Sequence, residues 1–284
     1  MKRKRKMTAL AAALLSAVLL SITGTAYAGP AAEAAGAVKT AAGAQAGGSA
    51  QAQEAAAQET GKVYTIRPPQ PREEVEKDIL SVCPAPGDLE DLKARISATE
   101  TAKKTKQIIL VNNHQLTMWN KGSDGTWTPI YWTYCGYGRN GLSADRTLGD
   151  ETTPIGSFPL LHGFGLGDNP GTAMKYKKIG PNSWWSGEWD KTYNTWVETD
   201  KEIIGEHLIG YDPQYKYAMA IGFNIDPVIY DKGCAIFLHV KNEEQWGTAG
   251  CVSTAEDAML KILQAGVDGA YIIIVPDKED IGNY

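Results

Sequence analysis

The run Lys106-Gln107-Ile108-Ile109-Leu110-Val111-Asn112-Asn113-His114-Gln115-Leu116-Thr117-Met118-Trp119-Asn120 is where dense core sequence begins, and its reading decides the fold. Two apolar-rich stretches, 107–112 and 115–120, flank the polar pair Asn113-His114, the pattern of two strands joined by a turn. Residues 127–134, rich in aromatic and β-branched side chains, continue as a third strand. Further strands are expected at 217–223, 235–240 and 270–275, with glycine and proline between them. One helix is expected at 254–265, where Ala255, Met259, Ile262 and Leu263 recur at helical spacing and Gly266 stops the run. Many strands and one late helix predict a mainly β fold, without internal repeat or heptad.

The chain has 284 residues, 43% of them hydrophobic and 21% charged, enough for a real core and inconsistent with a disordered or collagen-like polymer. Its formal charge of -5 includes one basic block, Lys2-Arg3-Lys4-Arg5-Lys6; without it 23 basic residues face 33 acidic ones, a balance of -10 that speaks against a nucleic-acid partner. That block, an apolar run over residues 8–22 and Ala26-Tyr27-Ala28 have the form of a secretory signal peptide (1–28), cleaved before Gly29. The apolar run is shorter than the roughly 20 residues a spanning helix prefers. A membrane tether is therefore expected only if the leader stays uncleaved. Residues 29–62, almost entirely Ala, Gly, Gln, Glu, Thr and Ser, cannot bury enough apolar surface to offset ordering entropy and are expected to form a flexible linker. Residues 63–104 follow as a proline-punctuated lead-in with short helices at 72–82 and 89–96. The main domain is assigned to 105–276 and a C-terminal tail to 277–284.

Four cysteines, Cys83, Cys135, Cys234 and Cys251, permit two disulfides in an exported chain. One has a reactive-looking setting. Cys251 stands in Thr248-Ala249-Gly250-Cys251-Val252-Ser253, and Ser253 with Glu256 has capping-box spacing, which would put the thiol just outside a helix N-terminus. Gly250 permits a sharp turn whose N–H groups could form an oxyanion hole. His239, in the apolar run Ala235-Ile236-Phe237-Leu238-His239-Val240, stands twelve residues earlier and is able to meet that thiol as a base. Against this stand a structural cysteine, and a core histidine satisfied by backbone.

These pieces, with Thr153-Pro154-Ile155-Gly156-Ser157-Phe158, resemble the L,D-transpeptidase (YkuD-type) catalytic domain family and its T-P-x-G-x-F segment, over residues 106–275. The family's commoner loop reads S/T-H-G-C, then a hydrophobic residue and Arg or Asn; this chain departs from it, with Ala249 in place of the loop histidine and Ser253 in place of the Arg or Asn. The resemblance implies a β-sandwich-like domain with one helix after the catalytic cysteine. It implies that Cys251 attacks a peptidoglycan stem at its third residue, expels the terminal D-residue and leaves a thioester, which the side-chain amine of a second stem resolves into a cross-link. His239 is then the general base, the Val240 carbonyl its orienter, and the Gly250 and Cys251 N–H groups the oxyanion donors. No cofactor is implied. The partners are donor and acceptor stems, the location is outside the membrane at the cell wall, and the role is in wall organisation and cell shape.

Weaker candidates for substrate binding are Thr153, Gly156, Arg146, Asn224 and Trp185. Each has a plainer reading: Thr153 and Gly156 as a turn into a strand, Asn224 as a turn former, Arg146 as a solvated side chain, and Trp185 with Trp184, Trp189 and Trp196 as a self-packed lid. A hydrolase that lets water take the thioester, and a non-catalytic wall-binding protein, are alternatives on the same fold. A zinc module using Cys234, His239 and Cys251 lacks a clean fourth ligand, with His207 only a guess. His114, His162 and His207 are placed in turns, loops or on the surface.

Overall fold

The computed structural model describes residues 87–242 and 245–284. The leader, the linker, the helix expected at 72–82 and Cys83 lie outside the described residues.

Helices α1 (Leu89–Ser97) and α2 (Thr101–Lys104) lead into the hairpin β1 (Gln107–Asn112) and β2 (Gln115–Lys121), then β3 (Trp127–Tyr134). Next come β4 (Leu142–Ser143), β5 (Thr153–Pro154), the ten-residue β6 (Gly156–Gly165) and β7 (Tyr176–Lys178). The short strands β8 (Ser183–Ser186), β9 (Trp196–Glu198) and β10 (Gly205–His207) follow, then β11 (Ala218–Ile221), β12 (Phe237–Val240), β13 (Val252–Thr254), helix α3 (Glu256–Ala265) and β14 (Tyr271–Val275). The nine-stranded main sheet runs β13-β12-β11-β6-β14-β1-β2-β3, with β7 also on β6. The pairs β1–β14, β12–β13 and β6–β7 are parallel, and the sheet's other pairs antiparallel. A three-stranded sheet β10-β8-β9 and the parallel pair β4-β5 complete the fold, which is mainly β as expected.

The continuous apolar runs of β1 and β14 are explained by burial on both faces. Because strand side chains alternate, Ile109, Val111, Ile272 and Ile274 enter one cluster, beneath Met259, Ile262 and Leu263 of α3. Ile108, Leu110, Ile273 and Val275 enter another, closed by Leu92 and Ile96 of α1 together with Trp119, Trp127 and Ile281. The same alternation splits β11 and β12. Met219, Ile221, Leu238 and Val240 join the first cluster, whereas Ala218, Ala220 and Phe237 face a third, aromatic one with Phe164, Trp185 and Tyr215. His239, two residues beyond Phe237, projects from that third face.

Two sequence expectations change. The strand expected at 235–240 begins at Phe237, because Ala235 adopts a left-handed backbone, φ 56, that a strand cannot contain. The helix expected from 254 starts at Glu256 with Ala255 as N-cap and no side-chain cap bond, and Ser253 instead lies in β13, its hydroxyl donating to the Trp246 carbonyl. The capping box is therefore not formed. The 252–254 backbone pairs with β12 in place of opening the helix.

Candidate active site

Strand pairing brings Cys251 and His239 to the same face. In the parallel β12–β13 ladder Leu238 pairs Val252 and His239 pairs Ser253, so Cys251 arrives beside Phe237, one pleat before His239. Its sulfur accepts from the Phe237 N–H and donates to the Ala235 carbonyl, both at 3.3 Å. The left-handed Ala235 turns that carbonyl toward the thiol. Because alternation stops there, Cys234 also packs with Cys251 against the aromatic cluster.

Nδ1 of His239 lies 2.7 Å from the Val240 carbonyl. A carbonyl only accepts, so the proton sits on Nδ1 and Nε2 keeps its lone pair. Burial lowers the His239 pKa to about 4, against the favourable pull of that carbonyl. Burial likewise raises the Cys251 thiol to about 12, with the nearby Glu206 carboxyl adding to the rise. The resting pair is a neutral imidazole and a neutral thiol. The helix-dipole activation expected from sequence is thus not the local physics: Cys251 is followed by a strand, and desolvation governs its proton.

The loop carrying Cys251 is braced from three sides. Residues 136–139 bind it as a strap: Gly136 and Ser253 exchange N–H···O bonds, the Thr248 N–H donates to Tyr137 and the Arg139 N–H to Thr248. Thr153, wholly buried, donates its hydroxyl to the Gly250 carbonyl at 2.7 Å and accepts from the Gly138 N–H. Gly250 has φ +138, and a Cβ there would stand 3.0 Å from the Thr152 carbonyl and 3.2 Å from Arg146 Nη2. Among the described residues no group of three or more His, Cys, Asp and Glu side chains is arranged to hold a metal ion. Cys135, Cys234 and Cys251 are free thiols.

Several sequence candidates move to supporting positions. The Thr153 hydroxyl is consumed by loop bracing, and Gly156 is buried at the start of β6 opposite Ile274. The Gly250 N–H donates to the Thr248 hydroxyl and so is already engaged. Asn224 closes the turn 224–233 through the carbonyls of Ile229 and Gly233 and the Ile229 N–H. Trp185 is only 2% exposed; its Nε1 donates to Asn194 and its ring packs on Phe237, so it is wall rather than contact surface. His162, read as a loop residue, is buried in β6 with its pKa lowered by burial to about 4. His207 lies in β10 stacked on Trp184, and His114 is buried against Tyr137.

Arg146 moves the other way. Expected to be solvated, it is 4% exposed, stands over Phe223 and donates Nη1 to the Lys232 carbonyl, while its buried Nε has no hydrogen-bond partner. Asp150 is 3.9 Å away, too far to satisfy that N–H. Sequence reading missed a second group altogether. The Tyr215 ring meets Phe237 and His239 edge-on, at 5.4 and 5.7 Å, and its hydroxyl donates to Glu206 of β10. In the sequence Glu206 is one of several charges after Trp196, with Asp200, Lys201 and Glu202 just before it, and nothing there sets it apart.

A model of the L,D-transpeptidase catalytic domain, YkuD, matches residues 106–274, more than half the chain. The chain belongs to this family. Comparison with curated proteins returns no match. Among solved structures the domain is similar to the helical cell shape determining protein Pgp2 from Campylobacter jejuni, at 14% identity and TM-score 0.36, over 68% of this chain and 60% of that one. An L,D-transpeptidase from Stackebrandtia nassauensis aligns at 15% identity and TM-score 0.30, over 71% and 74% of the two chains. The Enterococcus faecium L,D-transpeptidase C442S mutant aligns at 14% and 0.30, over 60% and 50%. The chain thus spans about 60% of the Pgp2 length. At these scores the likenesses add nothing to what the family match establishes for this L,D-transpeptidase domain.

Proposed function

We propose that this chain is an exported cysteine L,D-transpeptidase that cross-links peptidoglycan stems through a thioester on Cys251. The observation that carries the reading is a thiol held by the Phe237 N–H and the Ala235 carbonyl, on the same strand face as a histidine whose tautomer is fixed with Nε2 unprotonated. With both groups neutral at rest, the thiol proton passes to His239 as sulfur attacks the carbonyl of the third stem residue. The imidazolium so formed returns that proton to the departing D-residue amine. The Cys251 N–H is the oxyanion donor. Export rests on the basic block, short apolar run and Ala26-Tyr27-Ala28 of the leader, and puts the enzyme where the polymer is.

Arg146 is the donor-side anchor in this reading. A buried guanidinium with an unpartnered Nε close to Gly250 favours an anion, and the terminal D-residue offers a carboxylate. Mass spectrometry of products from a disaccharide tetrapeptide, run beside Cys251→Ala, tests the whole. A cross-linked dimer with loss of one terminal D-residue, absent in the variant, is the expected result. Tripeptide alone would make the protein a carboxypeptidase, and no change in either sample would point to a wall-binding protein or to a stem of different chemistry.

A further inference from the structure

We infer that Glu206 is the acceptor-side residue of this site, binding the ammonium group of the incoming stem and taking its proton before attack on the thioester. The inference rests on the transpeptidase reading above and concerns only its second half. Its ground is a half-buried carboxyl that forms no ion pair with a Lys, Arg or His among the described residues and has the Tyr215 hydroxyl as its side-chain partner. Burying such a group without a counter-charge is costly. A cationic ligand would supply the missing charge.

The position suits the task. Glu206 sits at the centre of β10, held through its pairing with Trp185, and is fixed by the Tyr215 hydroxyl. Tyr215 stacks on Tyr211 at 4.8 Å and touches His239, so carboxyl and base share one aromatic wall. The titratable groups within electrostatic reach of Glu206 are Tyr211, Tyr215, Cys234 and Cys251. All four are neutral at pH 7, with pKa values raised chiefly by burial, so none competes for the carboxylate. Burial raises Glu206 itself to about 7, where it can both lose and accept a proton under working conditions. Arg146 is the cation beside Gly250 of the same loop, so the site offers a group of each sign, one for a carboxylate and one for an ammonium.

The step balances as follows. The acceptor ammonium gives one proton to the Glu206 carboxylate, and the neutral amine forms the new C–N bond with the thioester carbon. As the C–S bond breaks, the sulfur leaves with the electron pair, and a second nitrogen proton passes through His239 to it. The products are an amide, a Cys251 thiol and a protonated Glu206.

The test loads the purified chain with donor stem, follows the thioester by intact-protein mass, and then adds an acceptor stem bearing a side-chain amine. In E206Q the ratio of amine transfer to thioester formation is expected to fall at least tenfold, and the rise of wild-type transfer through about pH 7 is expected to disappear. Hydroxylamine, uncharged at neutral pH, is expected to discharge the wild-type and E206Q thioesters at similar rates. Transfer at the wild-type ratio in E206Q, or equal impairment toward hydroxylamine, overturns the assignment. If E206Q does not fold, Y215F serves instead: the tyrosine hydrogen bond lowers the carboxyl pKa, so its loss is expected to move the transfer limb to higher pH, and an unmoved limb overturns the assignment. No thioester in the wild type would sink the transpeptidase reading itself, and this one with it.

Discussion

Thr153 shows how a buried hydroxyl can govern a site it never touches chemically. It joins the Gly138 N–H to the Gly250 carbonyl and also reaches the Cys251 carbonyl at 3.2 Å. Replacing it with valine keeps the shape but leaves a buried donor and acceptor unmade, each costing roughly 1–3 kcal/mol. Thr153→Val is expected to lower the urea midpoint by that order and to slow thioester formation. Unchanged stability would mean that water or a shifted backbone satisfies both groups. The same scale explains what the sequence could show of the site. Cys251 and His239 announced themselves by residue type and local setting, Arg146 was a weaker candidate whose burial was not visible, and Glu206 gave no sign, because a charge in sequence carries no mark of burial. Arg146 was expected in solvent and lies 4% exposed.

At the element scale, β10 depends on a backbone shape that only glycine adopts easily. Gly205 has φ +143, and a Cβ there would stand 2.2 Å from the Trp185 carbonyl across the β10–β8 pair. Gly205→Ala is expected to cost on the order of 1–3 kcal/mol in strain and to displace Glu206. Thermal unfolding should register the first effect, and a fall in amine transfer larger than any fall in thioester formation the second. Strands were legible where apolar runs were long: β1, β3 and β14 fall within a residue of their expected bounds. The three-residue strands β7, β9 and β10 were invisible, because runs that short show no period. β6 was missed for a different cause. Glycine, proline and histidine interrupt its sequence, and only its position between β11 and β14 imposes the strand.

For the whole molecule, two expectations follow from how its layers close. Helix α1 buries Leu92 and Ile96 completely against Trp119, Trp127 and Ile273, so Leu92→Ala is expected to destabilise the entire fold by about 2–5 kcal/mol. A small change would mean that α1 docks as a loose appendage. The second expectation concerns acid. Buried His239 and His162 stay neutral when folded down to about pH 4, whereas unfolded imidazoles take up protons below about 6.5. The unfolded chain binds more protons across that window, so stability is lost as pH falls from 6.5 toward 4. Glu206 opposes them, since its folded value of about 7 lies above 4.5 and favours the folded chain at the acid end. Two groups outweigh one. Urea midpoints at pH 4.5, 5.5 and 6.5 should therefore rise with pH, and more steeply in E206Q; a flat series would contradict the burial of both histidines.

The sequence by itself determined the class of fold, the central strands and the chemical identity of the cysteine–histidine pair. Those follow from apolar runs, turn residues and reactive side chains, all properties of neighbours along the chain. Only the tertiary structure decided what surrounds the pair. The parallel β12–β13 ladder brings Cys251 beside Phe237, the left-handed Ala235 turns its carbonyl onto the sulfur, a loop far away in sequence brings Arg146 to Gly250, and β10 sets Glu206 on Tyr215. Desolvation then fixes the resting protons, where a helix N-terminus had been expected to. Burial belongs to the packed assembly of strands, and no local stretch of sequence contains it.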